Sequence, residues 1–254
     1  MTTQLALLRH GESAWNREDR FAGWADVDLT HEGESEARTA GHLLAEAGLE
    51  FDVCFTSVLK RATRTCSLVL GALGKPELPV LRHWRLNERH YGTLEGERRS
   101  PTRERYGAEQ IRLWRWSWDA RPPLVEPEDP RFPGNDERYA ALDPAEIPRG
   151  ESLEDCSARL LPHWEAVIAP RLQQGERVLV VAHGSTIRAL VKHLDGIADE
   201  GIPEFRIPTG EPLIYEIDRD LKPLAHGPLR PKPARVGRWL RRQWARRVGA
   251  GPTG

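Results

Sequence analysis

Short apolar runs alternate along the chain with longer segments whose apolar residues recur every three or four positions. Gln4–Leu8, Asp52–Thr56 and Arg177–Ala182 are brief and largely aliphatic, the pattern of buried strands. Between the first two, Ala37, Ala40, Leu44 and Ala47 fall near one helical face, with Thr30 placed to cap the start and Gly48 the end. A second helix is expected from Ser57 toward Leu73. Ser100-Pro101 offers a cap followed by a proline at the first helical position. Ser152 and Asp155 make a capping pair that opens a helix toward Gln173, which Pro162 should bend or shorten. A helix over Thr186–Leu194 follows the third run, and Pro212–Ile217 predicts a late strand that tolerates proline at its first position. Alternation of this kind implies an α/β fold: a mostly parallel central sheet sandwiched by helices, three layers in all. The stretch 120–150 breaks the pattern, with many prolines and no sustained period. Irregular segments of this length in compact domains are often lids or binding loops, and a lid is expected here.

Two of the expected strands end alike. Leu7-Leu8-Arg9-His10-Gly11-Glu12-Ser13 places a histidine straight after an apolar run, and so does Val180-Val181-Ala182-His183-Gly184-Ser185 far downstream. Ligands of an open α/β sheet bind outside the carboxyl ends of its strands, so both histidines are expected at one pocket. Arg9 carries a permanent charge whose planar fork suits phosphate oxygens. Gly11 admits close approach of the backbone, while Ser13 offers a hydroxyl and Asn16 an amide. Imidazole held in one tautomer is a competent nucleophile toward an activated leaving group. A histidine beside an arginine at a strand end therefore reads as a phosphate acceptor. The plainer reading, that each histidine merely caps a strand, suits one such residue better than a matched pair.

Arg9-His10-Gly11-Glu12, followed by Phe21-Ala22-Gly23-Trp24-Ala25-Asp26-Val27-Asp28-Leu29-Thr30, resembles the histidine phosphatase superfamily and, more closely, its cofactor-dependent phosphoglycerate mutase branch. Thr56-Ser57-Val58-Leu59-Lys60-Arg61-Ala62, Leu86-Asn87-Glu88-Arg89-His90-Tyr91-Gly92 and Ile207-Pro208-Thr209-Gly210 extend the likeness in family order over residues 4 to 223. The resemblance implies that His10 becomes phosphohistidine while Arg9, Arg61 and His183 surround the transferring phosphoryl group. Glu88 would exchange a proton with the substrate hydroxyl or leaving alkoxide. The substrate would further touch Gly11, Glu12, Ser13, Asn16, Ala22 and Gly23 near the N-terminus, and Arg89, His90 and Tyr91 after Glu88. Arg99, Arg115, Trp116, Gly184 and Ser185 would complete the set. The implied activity is an isomerase of glycolysis and gluconeogenesis, interconverting 3-phosphoglycerate and 2-phosphoglycerate through 2,3-bisphosphoglycerate, which also primes it, with no metal and as a homodimer or tetramer. The chain fits: it has no HExxH, paired CxxC, calcium loop or GxxxxGK[ST] sequence.

Departures gather in the expected binding shell. Gly96-Glu97-Arg98-Arg99 stands for the family's Gly-Leu-Asn-Lys, and Trp114-Arg115-Trp116 for Trp-Arg-Arg, one anion-binding arginine fewer. Ser185 and Arg206 replace asparagines, and Ala22 replaces a threonine or cysteine. These changes leave two further readings after the mutase: a histidine phosphatase or mutase for another small phosphorylated carboxylic acid, and a non-catalytic scaffold. The scaffold ranks last because Arg9, His10, Arg61, Glu88 and His183 are all present.

Composition adds boundaries. A chain of 254 residues suits one catalytic domain, expected over 1–227. No apolar run approaches the roughly 20 residues of a membrane span, and no signal-like N-terminus precedes the first strand, so a cytoplasmic location is expected. Cys54, Cys66 and Cys156 have no paired spacing and read as core or surface thiols. Eight of the 37 basic residues lie beyond residue 228, where there are no acids, so the remaining 29 face 38 acidic residues and the body is formally −9. Residues 228–254 are expected to form a flexible basic tail, in which Val236, Leu240 and Trp244 repeat at the spacing of a basic amphipathic helix. A solvated tail, or one folded over the acidic body or active-site mouth, is favoured over membrane attachment, and no nucleic-acid partner is expected.

Overall fold

In the computed structural model, which describes residues 2–229, six strands form one mixed sheet in the order β3-β2-β4-β1-β5-β6. β1 (Thr3–Arg9), β2 (Val53–Thr56), β3 (Val80–Arg82) and β4 (Val178–Ala182) pair in parallel. β5 (Leu213–Ile217) and β6 (Pro223–Pro228) add an antiparallel margin beside β1. Eight α-helices are present among the described residues: α1 (Ala14–Arg17), α2 (His31–Glu46), α3 (Lys60–Ala72), α4 (Arg99–Tyr106), α5 (Ala108–Trp116), α6 (Leu153–His163), α7 (Ala169–Gln173) and α8 (Gly184–Asp195).

The central strands are apolar throughout because both of their faces are covered. Leu5 and Leu7 of β1, with Val178 and Val180 of β4, pack toward Leu160 of α6, Leu172 of α7 and Ile187 of α8. Ala6 and Leu8, with Leu179 and Val181, pack the opposite way toward Ala37, Ala40 and Leu44 of α2 and Val69 of α3. This period-two alternation fixes the register, since a one-residue slip would exchange the two faces. Leu5, Leu7 and Leu8 are essentially inaccessible to solvent, and burying each stabilises the fold by about 1.5–3 kcal/mol.

Element ends show where local signals hold. Thr30 caps α2 by accepting from Gly33 N at 3.1 Å, and Gly48 follows the helix at φ +69°. α3 starts at Lys60 rather than Ser57, because the Ser57 hydroxyl is engaged by His183 and by Leu59 N. Ser100 is not the expected cap: α4 begins at Arg99, which places Pro101 third in the helix. The first-turn N–H groups have no intrahelical acceptor, so proline is tolerated there as well. The helix expected to run from Ser152 toward Gln173 is in three pieces. α6 passes through Pro162 and gives way to a π turn over Trp164–Ile168 before α7. β5 starts one residue after Pro212, whose carbonyl accepts from Leu229 N. β3 and β6 lie at the two margins of the sheet and lack the long apolar runs of the centre.

The 120–150 stretch contains three short 3-10 turns, Pro133–Asn135, Glu137–Tyr139 and Pro144–Glu146. Val125 N donates to Arg149 O at 2.8 Å and draws its ends together. Buried Tyr139 anchors it through a 2.9 Å bond from Asn87 Nδ2 and a ring contact with Trp24 at 4.8 Å. All three cysteines are buried thiols, with Cys54 and Cys66 sulfurs 3.3 Å apart. Val236, Leu240 and Trp244 fall outside the described residues.

Candidate active site

β1 and β4 are parallel neighbours with Arg9 opposite Ala182, so their carboxyl ends emerge side by side. His10 N donates to Ala182 O at 3.0 Å, and the His10 and His183 rings meet edge-on with centroids 5.0 Å apart. Gly11 lets this strand end lie against the start of α2: a β-carbon there would come within 2.1 Å of Gly33 O.

His10 is buried, with Nδ1 2.7 Å from the Gly11 carbonyl oxygen. A carbonyl only accepts, so Nδ1 carries the proton and Nε2 keeps its lone pair. Burial, then the Arg61 and Arg9 guanidiniums, push the pKa of His10 well below the usual imidazole range. The ring is therefore neutral at physiological pH. Burial, Arg61 and His10 depress His183 in the same way. The Ser57 hydroxyl accepts from Leu59 N and makes a 2.7 Å hydrogen bond with His183 Nε2, which anchors the ring. His183 Nδ1 is buried and has no hydrogen-bond partner among the described residues.

Two guanidiniums are fixed by backbone carbonyls. Arg61, on α3, donates through Nη2 to Gly23 O at 2.6 Å and through Nη1 to Ala25 O at 2.8 Å. Gly23 stands at φ +50°, and a β-carbon there would overlap the Glu95 carboxylate. Arg9 donates through Nη1 to Ile207 O at 2.8 Å. Burial lowers both arginine pKa values, yet an arginine keeps its charge in a protein.

Glu88 reaches the same place from the loop after β3. Its Oε1 accepts from Arg89 N at 2.9 Å and from Ser185 N, in the first turn of α8, at 3.0 Å. That loop is clamped from behind. Buried Arg159 donates to Asn87 O and Glu88 O, each at 3.2 Å, and pairs with buried Glu151 at 2.6 Å. Trp24 Nε1 also donates to Glu88 O, at 2.6 Å.

A cavity of about 310 Å³ opens over these groups. Of the residues expected from sequence, Arg9, His10, Asn16, Ala22, Gly23, Arg61 and Glu88 line it, as do Tyr91, Arg99, Arg115, Trp116, Gly184 and Ser185. His183 stands behind His10. Five others lie outside the lining. Gly11 is packed against α2, and Glu12 accepts from Thr30 Oγ1 at 2.7 Å. Ser13 caps α1 in a reciprocal pair with Asn16. Arg89 donates to Tyr91 Oη and Arg115 O, and His90 Nδ1 accepts from Gly92 N. The 120–150 stretch contributes no lining residue. Its place is beside the Glu88 loop, where Pro123 O accepts from Thr93 N and the next residue after the stretch, Glu151, donates from N to His90 O.

The lining also holds Arg188, Ile207 and Pro208, none of them expected, and Arg206, which the sequence marked only as a departure in the binding shell. Arg188 donates to Arg115 O and Trp116 O, both at 3.1 Å, and burial lowers its pKa to about 10. Its signal was present in the sequence: residue 188 lies one helical turn beyond Gly184 and so shares its face. Among the described residues no cluster of three or more His, Cys, Asp or Glu could hold a metal ion, and no helix is long and apolar enough to cross a membrane.

A buried histidine pair at adjacent strand ends, flanked by two guanidiniums and a carboxylate, agrees with the family comparison: the chain belongs to the histidine phosphatase superfamily (branch 1), whose model matches residues 5–131 and 126–226. A 2,3-bisphosphoglycerate-dependent phosphoglycerate mutase from Nitratidesulfovibrio vulgaris (strain DSM 19637 / Miyazaki F) is 55% identical over 222 residues, 87% of this chain and 89% of that protein. Among solved structures, the α-ribazole phosphatase from Shigella flexneri is 26% identical with a TM-score of 0.65, covering 93% of this chain and 100% of that one. A mycobacterial glucosyl-3-phosphoglycerate phosphatase shares the fold, with a TM-score of 0.67 at 22% identity over 89% of this chain and 97% of that one.

Proposed function

We infer that the chain is a phosphoglycerate mutase, interconverting 3-phosphoglycerate and 2-phosphoglycerate by way of a phosphohistidine at His10. The observation that carries this reading is the state of His10: neutral, its Nδ1 proton tied to Gly11 O, its Nε2 lone pair free beside Arg9, Arg61 and His183. Attack by Nε2 forms an N–P bond as the P–O bond of a phosphate ester breaks. Glu88 delivers a proton to the departing oxygen, and takes one from the accepting hydroxyl when the phosphoryl group moves back. Phosphoryl transfer leaves the protein mainly positioning and charge stabilisation to do. Arg9, Arg61 and His183 supply that stabilisation from fixed positions, so little reorganisation is needed as charge develops.

The rest of the cavity suits a ligand with a second anionic group. Arg99, Arg115, Arg188 and Arg206 add four guanidiniums, against Glu88 as the one carboxylate in the lining. 2,3-Bisphosphoglycerate, as phosphoryl source, fits that charge, with one phosphate at His10 and its other anions among these arginines. A second reading rests on Trp116, Ala22 and Ser185, which alter the lining: a phosphatase or mutase for another small phosphorylated acid, in which a phosphatase would let water discharge the phosphohistidine. Product analysis with 3-phosphoglycerate separates the two. Formation of 2-phosphoglycerate that accelerates on adding 2,3-bisphosphoglycerate is expected, whereas inorganic phosphate as the sole product would favour the second reading. We further propose that the reaction runs in the cytoplasm and in a homodimer or tetramer, as the resemblance implies; a monomeric mass by light scattering would remove the last part.

A further inference from the structure

Apart from Arg99, which is paired with Asp19, the guanidiniums of the cavity fall into two groups. Arg61 and Arg9 bear on His10 and His183. Arg115, Arg188 and Arg206 instead surround one indole, their guanidinium carbons 5.0, 4.9 and 3.6 Å from the Trp116 ring centroid. No carboxylate pairs with any of these three among the described residues. Like charges held this close repel, and stacking on an indole returns only about 0.5–2 kcal/mol per cation. An anionic ligand is the group that would offset the rest.

Within the trio Arg206 is the one placed to meet such a ligand. Arg188 is buried and spends both terminal nitrogens on the carbonyls of Arg115 and Trp116. Arg206 is exposed, lines the cavity, and bonds the carbonyls of Pro203 and Phe205 through Nη1 alone. Its Nε and Nη2 therefore remain as donors on a planar group whose face the Trp116 ring already fixes. A fork oriented in this way suits a carboxylate or phosphate. The segment is also tied to the transfer chemistry: Ile207 O holds Arg9 Nη1 at 2.8 Å, and Gly210 N donates to Arg9 O at 3.2 Å.

We propose that Arg206, stacked on Trp116, is a specificity-determining residue that binds the substrate's anionic group other than the phosphoryl group in transfer. The guanidinium missing at position 116 is thus supplied from the segment before β5, with the tryptophan as its platform. The proposal rests on the phosphoglycerate reading for the identity of that second anion.

The test is calorimetric binding to the full chain, for the wild type, Arg206→Ala, Arg206→Lys and Trp116→Leu. The probes are 3-phosphoglycerate and orthovanadate, a single-centred analogue of the transferring phosphoryl group. Loss of a charge-assisted fork predicts that Arg206→Ala weakens 3-phosphoglycerate by about 10- to 100-fold and leaves orthovanadate within about 2-fold. Trp116→Leu should reproduce most of that loss, and lysine, which keeps the charge without the planar stack, should fall between. In turnover the same variants should raise KM more than they lower kcat. Unchanged 3-phosphoglycerate binding in Arg206→Ala, or equal weakening of both probes, overturns the role of Arg206 alone. A wild type that binds orthovanadate but not 3-phosphoglycerate overturns the phosphoglycerate reading together with it.

Discussion

The two ends of the cavity are held by different means. At the transfer end, His10 and His183 leave the neighbouring strands β1 and β4, and backbone carbonyls at Gly11, Gly23, Ala25 and Ile207 fix His10, Arg61 and Arg9. At the recognition end, Arg99 begins α4, Arg115 and Trp116 end α5, Arg188 is on α8, and Arg206 is on the segment before β5. There Arg115, Arg188 and Arg206 gather against the Trp116 ring, Arg188 and Arg206 donate to carbonyls of helix ends and loops, and Arg99 pairs with Asp19. In the proposed mechanism a sheet positions the chemistry, and helix ends and loops position the substrate. The transfer end should therefore respond to substitution by losing turnover, and the recognition end by losing affinity.

The sharpest break in that comparison is His10→Ala. Removing the group that accepts phosphorus should lower turnover by about 10⁴-fold or more, while binding of 3-phosphoglycerate changes far less. Acid-labile radiolabel from 2,3-bisphosphoglycerate should disappear from the protein. Retention of that label in the variant would place the phosphoryl acceptor at another residue.

Glu88→Gln comes next. The amide oxygen can still accept from Arg89 N and Ser185 N, so the loop should stay in place while proton exchange is lost. Turnover should fall by about 10²–10⁴-fold, the usual worth of a positioned acid–base group. Label on His10 should still be detectable in rapid quench, now forming slowly. A variant with wild-type kcat would show that another group moves the proton.

The same division governs what the sequence could disclose. Strand ends are local: an apolar run stopping at Arg9-His10-Gly11 or at Ala182-His183-Gly184 marks both a strand and the residue leaving it, so the transfer end was legible. The three parallel strands β1, β2 and β4 were legible for the same reason, because burial on both faces leaves a continuous apolar run. β3 and β6 were not, since a marginal strand need satisfy only one neighbour and tolerates Arg82 or Pro223 and Pro228. The arrangement around Trp116 was illegible for a different reason. It is built from side chains some 70 to 90 positions apart in the chain, on α5, α8 and the segment before β5, and no periodicity links them. Even so, Arg206 stood out as a departure from the family pattern, which was the only trace the sequence carried of its place in the cavity.

Glu151→Ala tests the support beneath the transfer end. Arg159 would keep its bonds to the Asn87 and Glu88 carbonyls but lose the buried carboxylate that pairs with it. Breaking a buried pair from one side costs about 3–5 kcal/mol, read as a lower denaturant midpoint at unchanged slope. Because Arg159 also holds the Glu88 loop, kcat should drop with the stability while orthovanadate affinity holds. Loss of 3-phosphoglycerate affinity, without loss of stability or of orthovanadate affinity, would mean that Glu151 belongs to recognition instead.

Glu95→Gln probes the seam between the two ends. Glu95 Oε1 accepts from Trp24 N, next to the Gly23 carbonyl that holds Arg61, and from Tyr91 N, in the cavity wall. Burial raises the Glu95 pKa to about 8, against the pull of those two N–H groups and of Arg61, with Glu151 raising it further. His90 Nε2 lies 3.6 Å away, but burial and Arg159 lower that imidazole to about 3, so it offers no positive charge near neutrality. Between an unfolded carboxyl near the ordinary value of 4.5 and a folded one near 8, the folded state binds more protons. Its stabilising contribution is therefore complete below the unfolded pKa and is lost as pH rises through the folded one. Glutamine presents the same acceptor without a charge to bury. The variant should match the wild type near pH 4.5, where the wild-type carboxyl is protonated in the fold, and exceed it near pH 9. The gain at high pH should be on the order of a few kcal/mol, measured as a Tm difference that widens across that range. Parallel Tm curves for the two proteins would show that Glu95 is ionised in the fold throughout, and that the seam is held by a buried charge.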